Sequence, residues 1–160
     1  MRIHIATDHA GLDFSRELQG HLHDHGHEVI DHGPQAYDPL DDYPAFCIAA
    51  ARGVIRDLRG GVEALGIVFG GSGNGEQMAA NKVRGIRAAL VWNQETAVLA
   101  REHNDANVIA IGARQHDFAE VVDLIDTFIS TPFPGEERHA RRIGQIAEFE
   151  ESGAIAGHEI

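Results

Sequence analysis

Leu65–Asn81 reads LGIVFGGSGNGEQMAAN, and its reading decides the fold. Leu65-Gly66-Ile67-Val68-Phe69 is a short apolar run with the character of a buried strand. Gly70-Gly71-Ser72-Gly73-Asn74-Gly75 follows, four glycines and two small polar residues. Glu76-Gln77-Met78-Ala79-Ala80-Asn81-Lys82 then supplies good helix formers. Strand, glycine loop and helix in that order put the loop at the carboxyl end of a parallel strand, where open α/β sheets bind ligands. Glycines let backbone N–H groups approach a ligand, and a helix N-terminus adds partial positive charge, so the loop suits an anion. A carboxylate, Glu76, comes directly after it. A base beside an anion hole is the arrangement wanted by a reaction that passes through an oxyanion. A tight turn with no ligand is the plainer reading, but four glycines in six residues cost much chain entropy for that purpose alone.

Three familiar loops do not fit. A P-loop ends in Gly-Lys-Ser/Thr, whereas Gly75 is followed by Glu76. A nucleophile elbow needs a glycine two residues after its serine, where Asn74 stands. Gly71, Gly73 and Gly75 give G-x-G-x-G rather than the dinucleotide fingerprint.

The same alternation extends outward from this stretch. Arg2–Ala6 reads as the first strand, followed by the loop Thr7-Asp8-His9-Ala10-Gly11 and a helix over Leu12–His25 with apolar Leu12, Phe14, Leu18 and Leu22. Val29 and Ile30 centre a second strand, and Gly33–Asp42, rich in Pro, Asp and Gly, is a surface excursion. Tyr43–Leu58 reads as a helix with Phe46, Cys47, Ala50, Val54 and Leu58 inward. Strands are expected at Leu65–Phe69, Arg87–Trp92 and Val108–Gly112, with a helix from Asn93 or Thr96 to His103. Asp117 caps a helix over Phe118–Ile129, and a last helix runs over Glu136–Glu150. The expected architecture is α/β, a Rossmann-like three-layer fold with a five-stranded parallel sheet and helices on both faces. Residues 1–150 are read as one domain and 151–160 as a tail, frayed or docked on a partner.

The chain has 160 residues, 43% of them hydrophobic, enough for a sizeable core. A net charge of −12 argues against non-specific nucleic-acid binding while leaving room for a local basic pocket. Cys47 is the only cysteine, so no intramolecular disulfide forms. The opening residues run straight into a strand pattern, unlike a signal peptide, and no apolar run approaches the ~20 residues that span a bilayer. A cytoplasmic protein with no membrane segment is expected.

The candidate site residues fall mostly after strands. Asp8 and His9 follow the first strand and could bind hydroxyls or move a proton; equally, Asp8 could cap the next helix and His9 be merely exposed. Glu76 could be only a favourable acid in a first helical turn. His103 and Asn104 end the fourth helix, where a dipole and capping role would suffice. Arg138 and Arg142 are four apart and share a helix face, which suggests phosphate, although pairing with Glu136, Glu137 or Glu148 is a serious rival. Arg114, two residues beyond the fifth strand, is a further candidate. His21, His23, His25 and His27 look like a metal tract, but only His21 and His25 share a helix face and no ligand set completes a tetrahedron; no metal is expected.

Together these pieces resemble the ribose-5-phosphate isomerase B family in its actinobacterial, glutamate-base form. The resemblance rests on Thr7-Asp8-His9-Ala10-Gly11, Asp42-Tyr43-Pro44-Ala45-Phe46, Gly70–Glu76, Ala79-Ala80-Asn81-Lys82, Ala100-Arg101-Glu102-His103-Asn104 and Arg138-His139-Ala140-Arg141-Arg142. It implies a cofactor-free aldose–ketose isomerase of the pentose phosphate pathway, interconverting ribose 5-phosphate and ribulose 5-phosphate. By the family pattern Glu76 is the base, the amides of Gly71, Ser72, Gly73, Asn74 and Gly75 with the Ser72 side chain form the anion hole, and His103 assists ring opening. Asp8, His9 and Asn104 bind sugar oxygens, and Arg114, Arg138 and Arg142 hold the phosphate. The resemblance also implies a homodimer or larger, with each site shared between subunits. A second form of the family carries a cysteine base just before the loop, where this chain has Gly70. Three rivals remain: an isomerase of a hexose or tetrose phosphate, a non-catalytic sugar-phosphate sensor, and a hydrolase using Ser72.

Overall fold

The computed structural model, which describes residues 1–159, turns each apolar run into a parallel strand and each intervening amphipathic run into a helix. The order is β1 (Arg2–Ala6), α1 (Leu12–Asp24), β2 (Glu28–Asp31), α2 (Tyr43–Arg59), β3 (Ala64–Gly70), α3 (Asn74–Ala80), β4 (Ala88–Leu90), α4 (Gln94–Asn104), β5 (Val108–Gly112), α5 (Phe118–Ser130) and α6 (Glu137–Ser152). The sheet runs β2-β1-β3-β5-β4, every pair parallel. β3 lies at its centre and is buried along all seven residues, as expected of a strand covered on both faces.

The two faces of the sheet are packed differently. One carries Ile3, Ile5, Ile67, Phe69, Ile109 and Ile111 against the apolar faces of α1, α4 and α5. The other carries Ala6, Val68, Val108 and Ala110 against Cys47, Ala50, Ala51 and Val54 of α2 and Ala79 and Ala80 of α3. Side-chain alternation along β3 sends Ile67 and Phe69 to the first face and Val68 to the second. Small residues on the second face let α2 lie close to the sheet.

That closeness creates a buried polar cluster. His4, fully buried on β1, has Nε2 2.9 Å from Asp57 Oδ2 and Nδ1 2.9 Å from His32 Nε2. Gly53 of α2 leaves space for the His4 ring, since a Cβ there would collide with it. Arg2 donates to Asp57 at 2.9 Å, and this bond, helped by His4 and Arg56 and opposed by burial, holds the Asp57 carboxyl well below the usual carboxylate range.

Several boundaries differ from the sequence expectation. α3 begins at Asn74, inside the glycine loop, because Gly73 at φ 79° already turns the chain into the helix. β4 is three residues long rather than spanning Arg87–Trp92. Its flanks keep single bonds to the β5 segment but turn their other groups to side chains: the Arg87 N–H donates to Asn107 Oδ1, and the Trp92 N–H to Thr96 Oγ1 beside the α4 capping box. Leu58, expected inward, is exposed in the last turn of α2, where the chain bends back toward β3. α6 extends to Ser152 and stops at Gly153, φ 73°. The segment beyond folds back, with Ala156 N–H donating to Glu148 Oε1 at 2.9 Å and a bridge between Ile155 and His158; Ile160 lies outside the described residues.

A carboxyl whose folded-state pKa is depressed contributes stability above the ordinary carboxylate range and loses it as pH falls. Asp57→Asn is therefore expected to lower Tm at neutral pH, and to show a flatter fall in Tm than the parent below about pH 4. Thermal melts followed by circular dichroism across that range check both.

Candidate active site

The direction in which strands are added to the sheet reverses between β1 and β3: β2 lies outside β1 on one side, while β5 and β4 follow β3 on the other. Ligands of open α/β sheets bind at the carboxyl ends of the strands flanking such a reversal. β1 delivers Asp8 to this point and β3 delivers the glycine loop with Glu76. β5, on the far side of β3, adds Arg114 to the same edge.

Glu76 is 4% exposed, in the first turn of α3. Its carboxylate lies against Gly70, where any side chain at all would collide with it. Burial is the main influence on its pKa and raises it; its own backbone N–H opposes this, and the Asp8 carboxylate adds to the rise. Cys47 lies beneath the same charges. Burial, with Glu76 and Asp8, pushes its thiol up to about 12, so it stays protonated.

The loop is packed backbone to backbone against β5. Ala113 N–H donates to Gly70 O at 2.8 Å and Arg114 N–H to Gly71 O at 3.2 Å. A Cβ on Gly73 would meet the backbone of Ile111 and Gly112 at 2.9 and 3.1 Å, and one on Gly112 would meet the backbone of Ser72 at 2.9 Å. Among the described residues, none accepts from the N–H groups of Ser72, Gly73 or Gly75, which leaves three donors for a ligand. Ser72 is exposed, its Oγ accepting from Asn74 N–H at 3.4 Å and Asn74 Nδ2 at 3.3 Å. The Arg114 guanidinium runs alongside Gly71, with Nη1 3.4 Å from where a Cβ would stand.

Asp8 does not cap α1. The N-cap is Gly11, and the Asp8 Oδ1 accepts from Ala10 N–H at 2.8 Å within the loop. His9 is not merely exposed either: Asp41 Oδ1 lies 2.7 Å from its Nδ1 and 3.1 Å from its backbone N. Polar atoms of Asp8, His9 and Asp41 lie within 4.8 Å of one another, a spacing that could hold a metal ion. Hydrogen bonds give the same spacing, the His9 ring donating through Nδ1–H to the Asp41 carboxylate.

Two neighbours escaped the sequence reading. Asp41 lies in the loop treated as a surface excursion, and nothing local marks it. The Tyr43 ring and hydroxyl fill the space that a side chain on Gly75 would occupy, about 2.5 Å from its Cβ position. Tyr43 and Cys47, four apart on one helix face, were the available signal.

His103, Asn104, Arg138 and Arg142 form a second group. His103 stacks on His139, ring centroids 4.1 Å apart and planes at 13°. His139 is buried, and its Nε2 accepts from Arg138 Nε at 3.1 Å; burial, then the charges of His103 and Arg138, lower its pKa. Arg138 also pairs with Glu136 at 3.3 Å, so the rival reading of that residue has substance, while Arg142 is exposed. α4 runs antiparallel to the strands and is about 16 Å long. Its C-terminal His103 and Asn104 therefore sit at the opposite edge of the sheet from Glu76. Among the described residues no hydrogen bond or ion pair joins the two groups. The candidate residues thus fall into two separate groups within one protomer, because every crossover returns the chain to the strands' amino ends.

Glu76, held in the folded state with its pKa raised, favours folding when protonated and opposes it once ionised. Glu76→Gln is therefore expected to raise Tm at neutral pH. Gly70→Ala is expected to keep the fold and lower kcat by about 10²-fold or more, because the methyl occupies the place of the carboxylate. Thermal melts and steady-state kinetics of the two variants test these outcomes.

A family model described as "Ribose/Galactose Isomerase" matches residues 3–146. Ribose-5-phosphate isomerase B of Mycolicibacterium paratuberculosis is 52% identical over 150 residues, 94% of this chain and 92% of that one. The crystal structure of ribose-5-phosphate isomerase B from Mycoplasma genitalium with bound ribulose-5-phosphate superposes with a TM-score of 0.88 at 40% identity, covering 94% of this chain and 97% of the other. The Clostridium thermocellum enzyme gives a TM-score of 0.88 at 41% identity over 96% of this chain and 100% of its own. With the fold, the glycine loop and the buried glutamate already in place, these matches establish that the chain belongs to the ribose/galactose isomerase family.

Proposed function

We propose that the chain interconverts D-ribose 5-phosphate and D-ribulose 5-phosphate by proton transfer through an enediolate, with Glu76 as the base. The observation that carries this reading is a buried carboxylate set beside three backbone N–H groups without protein acceptors. A proton alpha to a carbonyl is weakly acidic, so its removal needs a base within reach and donors aimed at the oxygen that gains charge. Glu76 takes the proton from C2 of the open-chain aldose, the C2–H electron pair forms the enediolate, and negative charge gathers on O1 beside the N–H groups of the glycine loop. Glu76 then delivers a proton to C1, after exchange with solvent, and the O2 proton passes to O1, which gives the ketose. Burial suits the base, since a raised pKa brings a carboxylate closer to that of the proton it must hold and release.

The remaining roles follow the chemistry of each side chain. Ser72, with Gly71, Gly73, Asn74 and Gly75, lines the anion hole; Asp8, His9 and Asn104 bind sugar hydroxyls; His103 assists opening of the furanose ring. Arg114, Arg138 and Arg142 hold the phosphate, whose binding energy fixes the reacting carbons. The active unit is a homodimer or larger assembly in which one subunit supplies Glu76 and the loop, and its partner supplies His103, Asn104, Arg138 and Arg142. Two facts support this. The two groups occupy opposite edges of one protomer, and in an isologous pair opposite edges can meet twice. The outer edge of β4 also opens onto a groove lined by Gln77, Ala89, Leu90, Trp92, Asn104 and Ile146, with Trp92 and Ile146 exposed. Residues 1–150 act as one isomerase domain, placed in the cytoplasm in keeping with its free, buried Cys47 and the absence, among the described residues, of any helix able to cross a membrane.

Ribose 5-phosphate incubated with the protein in heavy water, without added metal, is expected to turn over and to gain deuterium at the isomerised carbon by NMR. No turnover of this sugar, with turnover of a hexose or tetrose phosphate, would assign the other substrate class. Glu76→Gln is expected to lower kcat about 10²–10⁴-fold with substrate binding retained. Glu76→Gln and His103→Asn, each inactive alone, are expected to regain activity when their subunits are exchanged by mixing; no recovery would place each site within a single chain.

A further inference from the structure

The loop 33–42 between β2 and α2 has no part in the roles just given, yet it enters the site. Its first residue is tied to β1, Thr7 N–H donating to Gly33 O at 3.0 Å. Its last part is a turn in which Asp41 N–H donates to Asp38 O at 3.1 Å and Leu40 N–H to Asp38 Oδ1 at 2.9 Å. This turn sends the Asp41 side chain back over the end of β1, where it is only 9% exposed. There a single oxygen, Oδ1, accepts twice from His9, from ring Nδ1 at 2.7 Å and from the backbone N–H at 3.1 Å. The other oxygen, Oδ2, is buried and accepts from no described residue. Tyr37 of the same loop meets the His9 ring edge-on, centroids 6.0 Å apart and planes at 86°.

We propose that Asp41 is a positioning residue for the isomerase reaction: it holds the His9 ring by its Nδ1–H and so presents Nε2 to the sugar phosphate. A carboxylate at this distance can only accept, so the proton shared with it belongs to Nδ1, and Nε2 is the nitrogen left for a ligand. The ring cannot turn over without losing that bond, and its χ1 freedom is further limited by Tyr37. Loop 33–42 thereby becomes a working wall of the site. The inference rests on the reading of His9 as a ligand of the sugar phosphate.

The test uses the full-length protein and the variants Asp41→Ala, Asp41→Asn and His9→Gln. Ring nitrogen NMR, with the His9 signal assigned by its loss in His9→Gln, is expected to show Nδ1 protonated in the parent and a mixture of tautomers in Asp41→Ala. KM for ribose 5-phosphate is expected to rise about tenfold in Asp41→Ala, with kcat changed much less. Asp41→Asn keeps an acceptor oxygen and is expected to restore most of both signals. In a His9→Gln background, Asp41→Ala is expected to add less than about a twofold change. An unchanged His9 signal in Asp41→Ala overturns the positioning role whatever the enzyme does. A changed signal with unchanged KM also overturns it, and locates the fault in the assignment of His9 to the substrate. A KM effect of equal size with and without His9 shows that Asp41 only maintains the loop.

Discussion

The burial of one carboxylate dictates much of the local structure. Glu76 keeps its charge out of water at the end of the central strand, a costly placement that its surroundings must make room for. β3 has to end in Gly70, because any Cβ there would occupy the space of the carboxylate. The chain has to turn sharply at Gly73, whose φ of 79° an ordinary residue adopts only under strain. Gly75 has to stay bare so that Tyr43 can close over it. Gly70, Gly73 and Gly75 each answer a different steric demand, and together they bring a carboxylate and free N–H donors to one place.

Sheet order then decides which other groups join them. With β1 and β5 on either side of β3, the loops carrying Asp8, Glu76 and Arg114 are neighbours at one edge. The crossover helices run the other way. Residues at the C-terminus of α4, and the α6 residues packed on it, are carried to the far edge, where His103 stacks on His139. A parallel fold of this kind gathers one group of polar residues at the strands' carboxyl ends and carries the helix-borne group to their amino ends.

The unequal faces of the sheet serve the same end. Bulky isoleucines and Phe69 hold α1, α4 and α5 away, whereas alanines and glycines let α2 settle close against β1 and β3. That approach brings Tyr43 and Cys47 up to Glu76, and seats the His4, His32 and Asp57 cluster at the base of the same helix. Cys47 contributes by being small, apolar and protonated, so that it adds no charge beside a carboxyl already raised in pKa by burial.

Much of this was legible in the chain of residues because it depends on local patterns. Apolar runs at strand length, helical periodicity in between and the glycine loop specify an α/β sheet with an open glycine loop at a strand end, since each reflects the backbone geometry of its own segment. The β5 boundaries and the Asp117 cap are of this kind. What the sequence by itself determined was therefore the order of elements, the glycine loop at the end of the central strand and the glutamate beside it. The tertiary structure alone decided that Asp41 reaches back across 32 residues to His9, that the Glu76 carboxylate displaces any side chain from Gly70, and that His103 and the α6 arginines lie at the opposite edge from Glu76. Those facts depend on which strands become neighbours and how closely a helix can approach the sheet, and such distances are set by packing between segments far apart in the chain.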